Sequence, residues 1–292
     1  MLSRVAPWLA SRNENGLGVR VLGKADTLAL RALASEDVVA NVFILAHLDS
    51  TGTAAPTSGG ASIFGVFHDQ TLLGACWAGA NLVPVQLDPA LAGYAATAAH
   101  QTGRRFASIF GPAETVLALY ARFEQLGHTA HEIRSRQPLL TISGEPSIGA
   151  NPALTFGTME DFDLILPACA AMFEEEVGYS PFLGGQEFYS RRVAGLIRQG
   201  HSLVHVDPHG TVVFKAELGA VTADVTQVQG VWMNPELRGQ GQSAGYMAAV
   251  VNLSKTFAPV TSLYVNDYNA KARATYERVG FQQAGTFATV LF

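Results

Sequence analysis

Residues 61 to 79 (ASIFGVFHDQTLLGACWAG) alternate apolar and other positions around an Asp-Gln turn, and residues 201 to 221 (HSLVHVDPHGTVVFKAELGAV) do the same around DPHG. Period-two alternation on both sides of a short polar turn predicts a β-hairpin in each place. Each hairpin follows a longer stretch with helical period. Val225 to Met233 (VTQVQGVWM) reads as a buried strand, and Gly230 inside it predicts a bulge or a close backbone approach. Beyond it Ala244, Met247, Ala248 and Val251 fall at i, i+3, i+4 and i+7, the apolar face of a helix.

The pattern lapses twice, in Gly-, Pro- and Ser-rich segments: Asp49 to Ser62, and Ser143 to Pro152. The first is expected to be a mobile loop within a domain. The second lies mid-chain and predicts a boundary, giving domains 1–147 and 148–292. A chain of 292 residues suits two domains of about 150 each. The halves also resemble each other in order. Val85 to Gly93 (VQLDPALAG) matches Val231 to Gly239 (VWMNPELRG), and each is followed by a helix bearing a tyrosine, Tyr120 in LALYARFEQLG and Tyr276 in ARATYERVG. This predicts a tandem repeat of one α/β unit. The copies diverge at one place: Ala92 stands where the second copy has Arg238, and the following Gln-Gly is missing.

Hydrophobic residues make up 48% of the chain and charged ones 15%, enough apolar material for two cores. A formal charge of −5 with no basic run argues against a general nucleic-acid or anionic-membrane surface. The amino-terminal stretch is too polar for a leader, and no apolar run of about 18 residues occurs, so a cytoplasmic protein is expected. Cys76 and Cys169 fit neither a disulfide framework nor a metal spacing and are expected to be small buried hydrophobes. The eight histidines show no metal spacing either, so no metal is expected.

Arg238-Gly239-Gln240-Gly241-Gln242-Ser243 joins the predicted strand to the predicted helix. Free N–H groups and the helix dipole favour an anion there, most commonly a phosphate. A P-loop would need Lys after its last glycine, which is missing. A dinucleotide-binding loop would need far more chain after it than remains in the sequence given. The segment resembles the Q/R-x-x-G-x-G/A acetyl-CoA motif of the GNAT N-acetyltransferase superfamily, with Ser243 where Gly or Ala is usual. Met233-x-Pro235 resembles that family's V-x-P strand end, and Leu263 to Phe281 (LYVNDYNAKARATYERVGF) resembles its second signature. The likeness spans roughly residues 150 to 292. More loosely, the whole chain resembles actinobacterial proteins with a GNAT domain behind a divergent amino-terminal domain.

The resemblance implies an α/β fold (mixed α+β) of two tandem GNAT-like domains, each a mixed, largely antiparallel sheet flanked by helices. The second is expected to be catalytic and the first degenerate. Acetyl-CoA is implied as donor, its pyrophosphate cradled by residues 238 to 243 and its pantetheine bonded to the backbone of Val231 and Met233. Asn269 is expected to be a helix cap, a cofactor contact, or both. Transfer of acetyl to an amine needs a base, an oxyanion donor and a proton for the departing thiolate. Tyr276 is the expected acid and the Met233 N–H the expected donor. For the base, Glu217 and the run Glu174-Glu175-Glu176, with Glu176 singled out, compete; the carboxylate of Phe292 is a further alternative. The acids suggest a cationic acceptor: a protein lysine, an N-terminus or a small amine. An amino-sugar conjugate, as in the mycothiol synthase type, and a non-catalytic acyl-CoA-binding regulator are the alternative functions.

Overall fold

The computed structural model describes residues 16–292; the polar amino-terminal stretch read above lies outside them. Both predicted hairpins form. Strands β2 (Ser62–His68) and β3 (Thr71–Ala78) pair antiparallel across Asp69-Gln70, and β8 (Ser202–Val206) and β9 (Val212–Val221) across the DPHG turn. The helix of the apolar repeat is α7 (Ser243–Ser254), where Ala244, Met247, Ala248 and Val251 are all buried. Tyr246, Ala249 and Val250 are buried as well, so this helix is enclosed on more sides than its one-face pattern implied.

Two compact units divide the chain. Of the described residues, unit 1 holds 16–139, 264–268 and 284–292. Its sheet runs β1 (Leu17–Val21), β2, β3, β4 (Asn81–Val85), β5 (Ser108–Pro112), β12 (Gln282–Leu291) and β6 (Glu132–Ile142), the last two belonging to it for most of their length. Helices α1 (Thr27–Ala34) and α2 (Val42–Thr51) pack on Leu22, Ile63, Ala75 and Val85, while α3 (Ala92–Gln101) and α4 (Ala113–Gln125) enclose a second core around Val66, Leu82 and Ile109. The segment expected to be a loop from Asp49 is helical through Thr51, because α2 closes only at Gly52.

Unit 2 holds residues 140–263 and 269–283. Its strands run β11 (Val260–Tyr264), β10 (Val225–Met233), β9, β8 and β7 (Thr155–Phe156). Helices α5 (Phe162–Val177) and α6 (Gln186–Arg198) share a core with Val204, Val212 and Trp232, and α7 packs with α8 (Ala270–Val279). The repeat reappears as architecture: strand, Pro-bearing 3-10 turn, helix, strand, Tyr-bearing helix occurs once in each unit. The units part from the sequence boundary of 147/148: the first break falls at 139/140, and residues 264–268 and 284–292 return to unit 1. Residues 284–292 complete the sheet of unit 1, with Phe287 to Leu291 pairing antiparallel to Pro112 to Ser108.

Candidate active site

The strand β10 carries the geometry. It pairs parallel with β11 only over Val225 to Gln227, opposite Val260 to Ser262, and no partner on β11 follows. Against β9, Gln229 faces Glu217 but Trp232 faces Lys215, so β10 holds one extra residue between them. That is a β-bulge, and Gly230 takes it at φ +57°, a conformation costly to any residue with a Cβ. Residues 229 to 231 are half-buried. A Cβ at 230 would lie 3.1 Å from Met172 Cε, 3.2 Å from Lys215 Nζ and 3.3 Å from Glu217 Cδ.

After β10 comes a turn over Pro235–Leu237, capped by Asn234, whose side chain accepts from the Glu236 N–H at 3.1 Å. Gly239 and Gly241 follow at φ +80° and +74°, and a Cβ at either would meet nothing within 4 Å. Backbone conformation therefore explains the glycines, since a Cβ would meet nothing but would be strained at these φ angles. Gln240 and Gln242 bond each other at 3.2 Å, and Ser243 opens α7, its Oγ 3.5 Å from Met233 Sδ. Beside the loop lies a cavity of about 460 Å³, lined by Gly241, Gln242, Ala244, Gly245, Asn151 and Arg278 among others. Arg278, from the last turn of α8, brings a cation to the start of α7; sequence reasoning missed it, although it stands two residues past Tyr276.

The side chain of Arg238 turns away from this loop. Its Nε donates to the Met233 carbonyl at 2.9 Å, and one terminal nitrogen reaches both oxygens of Glu175, at 3.0 and 2.8 Å. Glu175 also accepts from the Trp232 indole at 3.1 Å. Asn269 caps α8, accepting from the Ala272 N–H at 3.1 Å.

Tyr276 is 7% exposed, its ring against Phe281. Burial, then the nearby charge of Glu176, pushes its pKa up, so the phenol holds its proton throughout the neutral range. Glu176 itself is exposed at the end of α5, and its field also reaches Tyr189.

Glu217 has its acceptor sites filled by neighbouring donors. It is 1% exposed, with Oε1 2.6 Å from Lys215 Nζ, and Arg192, Gln229 and the Cys169 thiol also donate to it. Burial would raise its pKa, but Lys215 and then Arg192 outweigh this and hold it at about 2. Such a carboxylate is too weak a base to take a proton from an ammonium, which corrects the role expected of Glu217. Cys169 is buried as expected, yet it is part of this polar cluster rather than a plain hydrophobe. Phe292 packs its ring near Tyr120, Phe123 and His128 of unit 1, and its N–H bonds the Ala107 carbonyl.

Residues 171–281 match the model of the Acetyltransferase (GNAT) family, and residues 61–165 match a family described as Domain of unknown function (DUF4081). The second half of the chain thus carries a GNAT acetyltransferase domain. The particular arrangement is tandem. A tandem GNAT protein from the clavulanic acid biosynthesis pathway, solved without AcCoA, aligns at TM-score 0.54 and 15% identity over 94% of this chain and 98% of its own. A GCN5-related N-acetyltransferase from Sphaerobacter thermophilus aligns at 0.62 and 14% over 96% of each chain. A GNAT-family acetyltransferase from Colwellia psychrerythraea gives 0.58 and 11% over 94% of this chain and 99% of its own. At these identities the likeness is one of fold. No curated protein matches the sequence.

Proposed function

We propose that the protein is an acetyl-CoA-dependent N-acetyltransferase that acetylates a primary amine by direct transfer in a ternary complex. The observation that carries this reading is the parting of β10 from β11 after Gln227, followed by the Gly230 bulge against β9 and an unobstructed glycine loop at the start of α7. Pantetheine lies along Val231 and Met233 as an added strand. The backbone N–H groups of residues 238 to 243 take the pyrophosphate, with Arg278 adding a cation.

The amine nitrogen, freed of its proton, attacks the thioester carbonyl carbon, and the π electrons move to oxygen. Collapse restores the carbonyl and expels the thiolate, which takes the Tyr276 proton. The acylated nitrogen then gives up its second proton through water to the tyrosinate, leaving a neutral amide and Tyr276 restored. Glu176 receives the proton of the incoming ammonium through water, taking the role that Glu217 cannot fill. Exposed carboxylates at the end of α5 suit a cationic acceptor, whether a protein lysine, an N-terminus or a small amine.

Calorimetry with acetyl-CoA tests the cofactor half: one equivalent per chain is expected, weakened at least tenfold by Gly241→Val. Mass spectrometry of peptide, amino-sugar and polyamine panels tests the transfer. Tight binding with no acetylated product from any panel would favour a regulatory acyl-CoA binder instead. No binding by the wild type would sink the reading.

A further inference from the structure

The buried cluster beneath the bulge has one valence left over. Glu217 is saturated: Oε1 receives Lys215 at 2.6 Å and the Cys169 thiol at 3.3 Å, and Oε2 receives Arg192 at 3.3 Å and Gln229 at 3.4 Å. A carboxylate offers about four lone-pair sites, and four donors meet them. Lys215 is different. Its ammonium has three N–H donors but, among the described residues, two partners, Glu217 Oε1 and the Cys169 sulfur at 3.2 Å. The same nitrogen is 3.2 Å from where a Cβ of residue 230 would lie, and residue 230 has none. Glycine at the bulge thus leaves the ammonium facing half-open backbone.

A cation that is 1% exposed is costly unless it is paired, and unit 1 shows that the fold does not require one here. Aligning Val85 with Val231 makes Val83 equivalent to Gln229. Their β-partners are Trp77 in unit 1 and Glu217 in unit 2. Unit 1 fills the position of the carboxylate with an indole, packed against His47 at 4.5 Å and Phe43 at 5.8 Å. Its β3–β4 register is also regular, without a bulge. The buried charges and the bulge occur together in unit 2 and, among the described residues, are missing together from the equivalent strand pair of unit 1.

We propose that Lys215 is a catalytic residue, whose third N–H stabilises the oxyanion formed when the amine adds to the thioester at the bulge. This rests on the acetyltransfer reading above. The step is the one already balanced there: the carbonyl π pair becomes the oxyanion, Lys215 donates a hydrogen bond without surrendering its proton, and collapse returns the pair to the carbonyl. Glu217 is the positioning residue, keeping the ammonium charged and aimed. An ammonium fixed in a dry site is worth most where charge develops, and it needs no reorganisation at the moment of reaction.

The test is Lys215→Met with Glu217→Gln, a pair of changes that removes both charges together and so avoids stranding one of them. Wild type and double variant are compared by calorimetry with acetyl-CoA and by steady-state kinetics with an acceptor found in the panel. Unchanged acetyl-CoA affinity and KM with kcat lower by about 10²-fold is the expected result. Unchanged kcat in a folded, binding variant overturns the proposal, and so does loss of cofactor affinity with kcat kept. Failure of the wild type to bind acetyl-CoA would overturn the function itself, a separate outcome.

Should the double variant not fold, Glu217→Gln alone decides through its pH profile. The group facing Lys215 is then the Cys169 thiol from α5, while Arg192 from α6 and Gln229 on β10 meet the side chain at 217 and the Tyr189 hydroxyl donates to the Cys169 carbonyl. With no carboxylate beside it the buried ammonium loses its proton more readily, so kcat should fall as pH rises, at lower pH than in wild type. A profile that keeps the wild-type shape would overturn the role of Lys215.

Discussion

The two loops that follow Val-x-x-Asx-Pro begin identically and end differently. In unit 1 Asp88 caps a turn over Pro89–Leu91 by accepting from Ala90 N–H at 2.7 Å, and α3 starts at once with Ala92. In unit 2 Asn234 caps the equivalent turn over Pro235–Leu237, but five residues, Arg238 to Gln242, intervene before α7. One copy joins its helix directly to the turn; the other leaves a loop whose glycines face open space. The tyrosines diverge in parallel. Tyr120 spends its hydroxyl on accepting the Ala130 N–H at 3.2 Å, a structural bond, whereas Tyr276 is buried with the field of Glu176 upon it. The same topology thus serves as scaffold in one unit and as candidate site in the other, and the difference lies in a few insertions and exchanges at strand ends.

That contrast is broken most forcefully at the tyrosines. Tyr276→Phe should lower kcat by about 10²-fold or more while sparing acetyl-CoA affinity, as loss of a general acid does. Tyr120→Phe should leave kcat untouched, and equal losses in steady-state assays would erase the distinction. Next in size is stoichiometry. Calorimetry should count one acetyl-CoA per chain, since among the described residues of unit 1 the glycine loop and a bulge on β4 are both missing; two equivalents would show that α3 binds as α7 does.

The buried ion pair sharpens the comparison through pH. The pKa of Glu217 is depressed from 4.5 to about 2 in the folded protein. Its stabilising contribution is therefore complete above about 4.5 and drains away as pH falls toward 2. Acid unfolding followed by circular dichroism should be less steep in that window for Glu217→Gln. Trp77→Phe, at the equivalent position, should leave the slope as it is. The smallest effect is a symmetric one: Asp88→Ala and Asn234→Ala should each cost about 1 kcal/mol in denaturant titrations, because each removes one cap bond.

Much of this was readable in the order of residues. The hairpins, the bulge at Gly230, the loop of residues 238 to 243 and the Tyr helices rest on local spacing, which a linear pattern records. What escaped rests on side chains that meet only after folding. Lys215 and Glu217 alternate on one face, yet nothing in their spacing says that Cys169 and Arg192 close over them. Nor does the run of three glutamates reveal that Glu175 engages Arg238 while Glu176 acts on Tyr276. Arg278 was invisible for the same reason. The membership of the last strand was also misjudged, because a strand's own pattern does not name its neighbour.

That last strand has a consequence for how the protein is made. Residues 284–292 belong to unit 1, where they pair with β5, so the earlier half of the chain cannot complete its sheet when it leaves the ribosome. It must wait, with an unpaired edge at Ser108 to Pro112, while the whole of unit 2 is synthesised. Synthesis order and folding order are thereby set against each other, and the unit translated first is the one finished last.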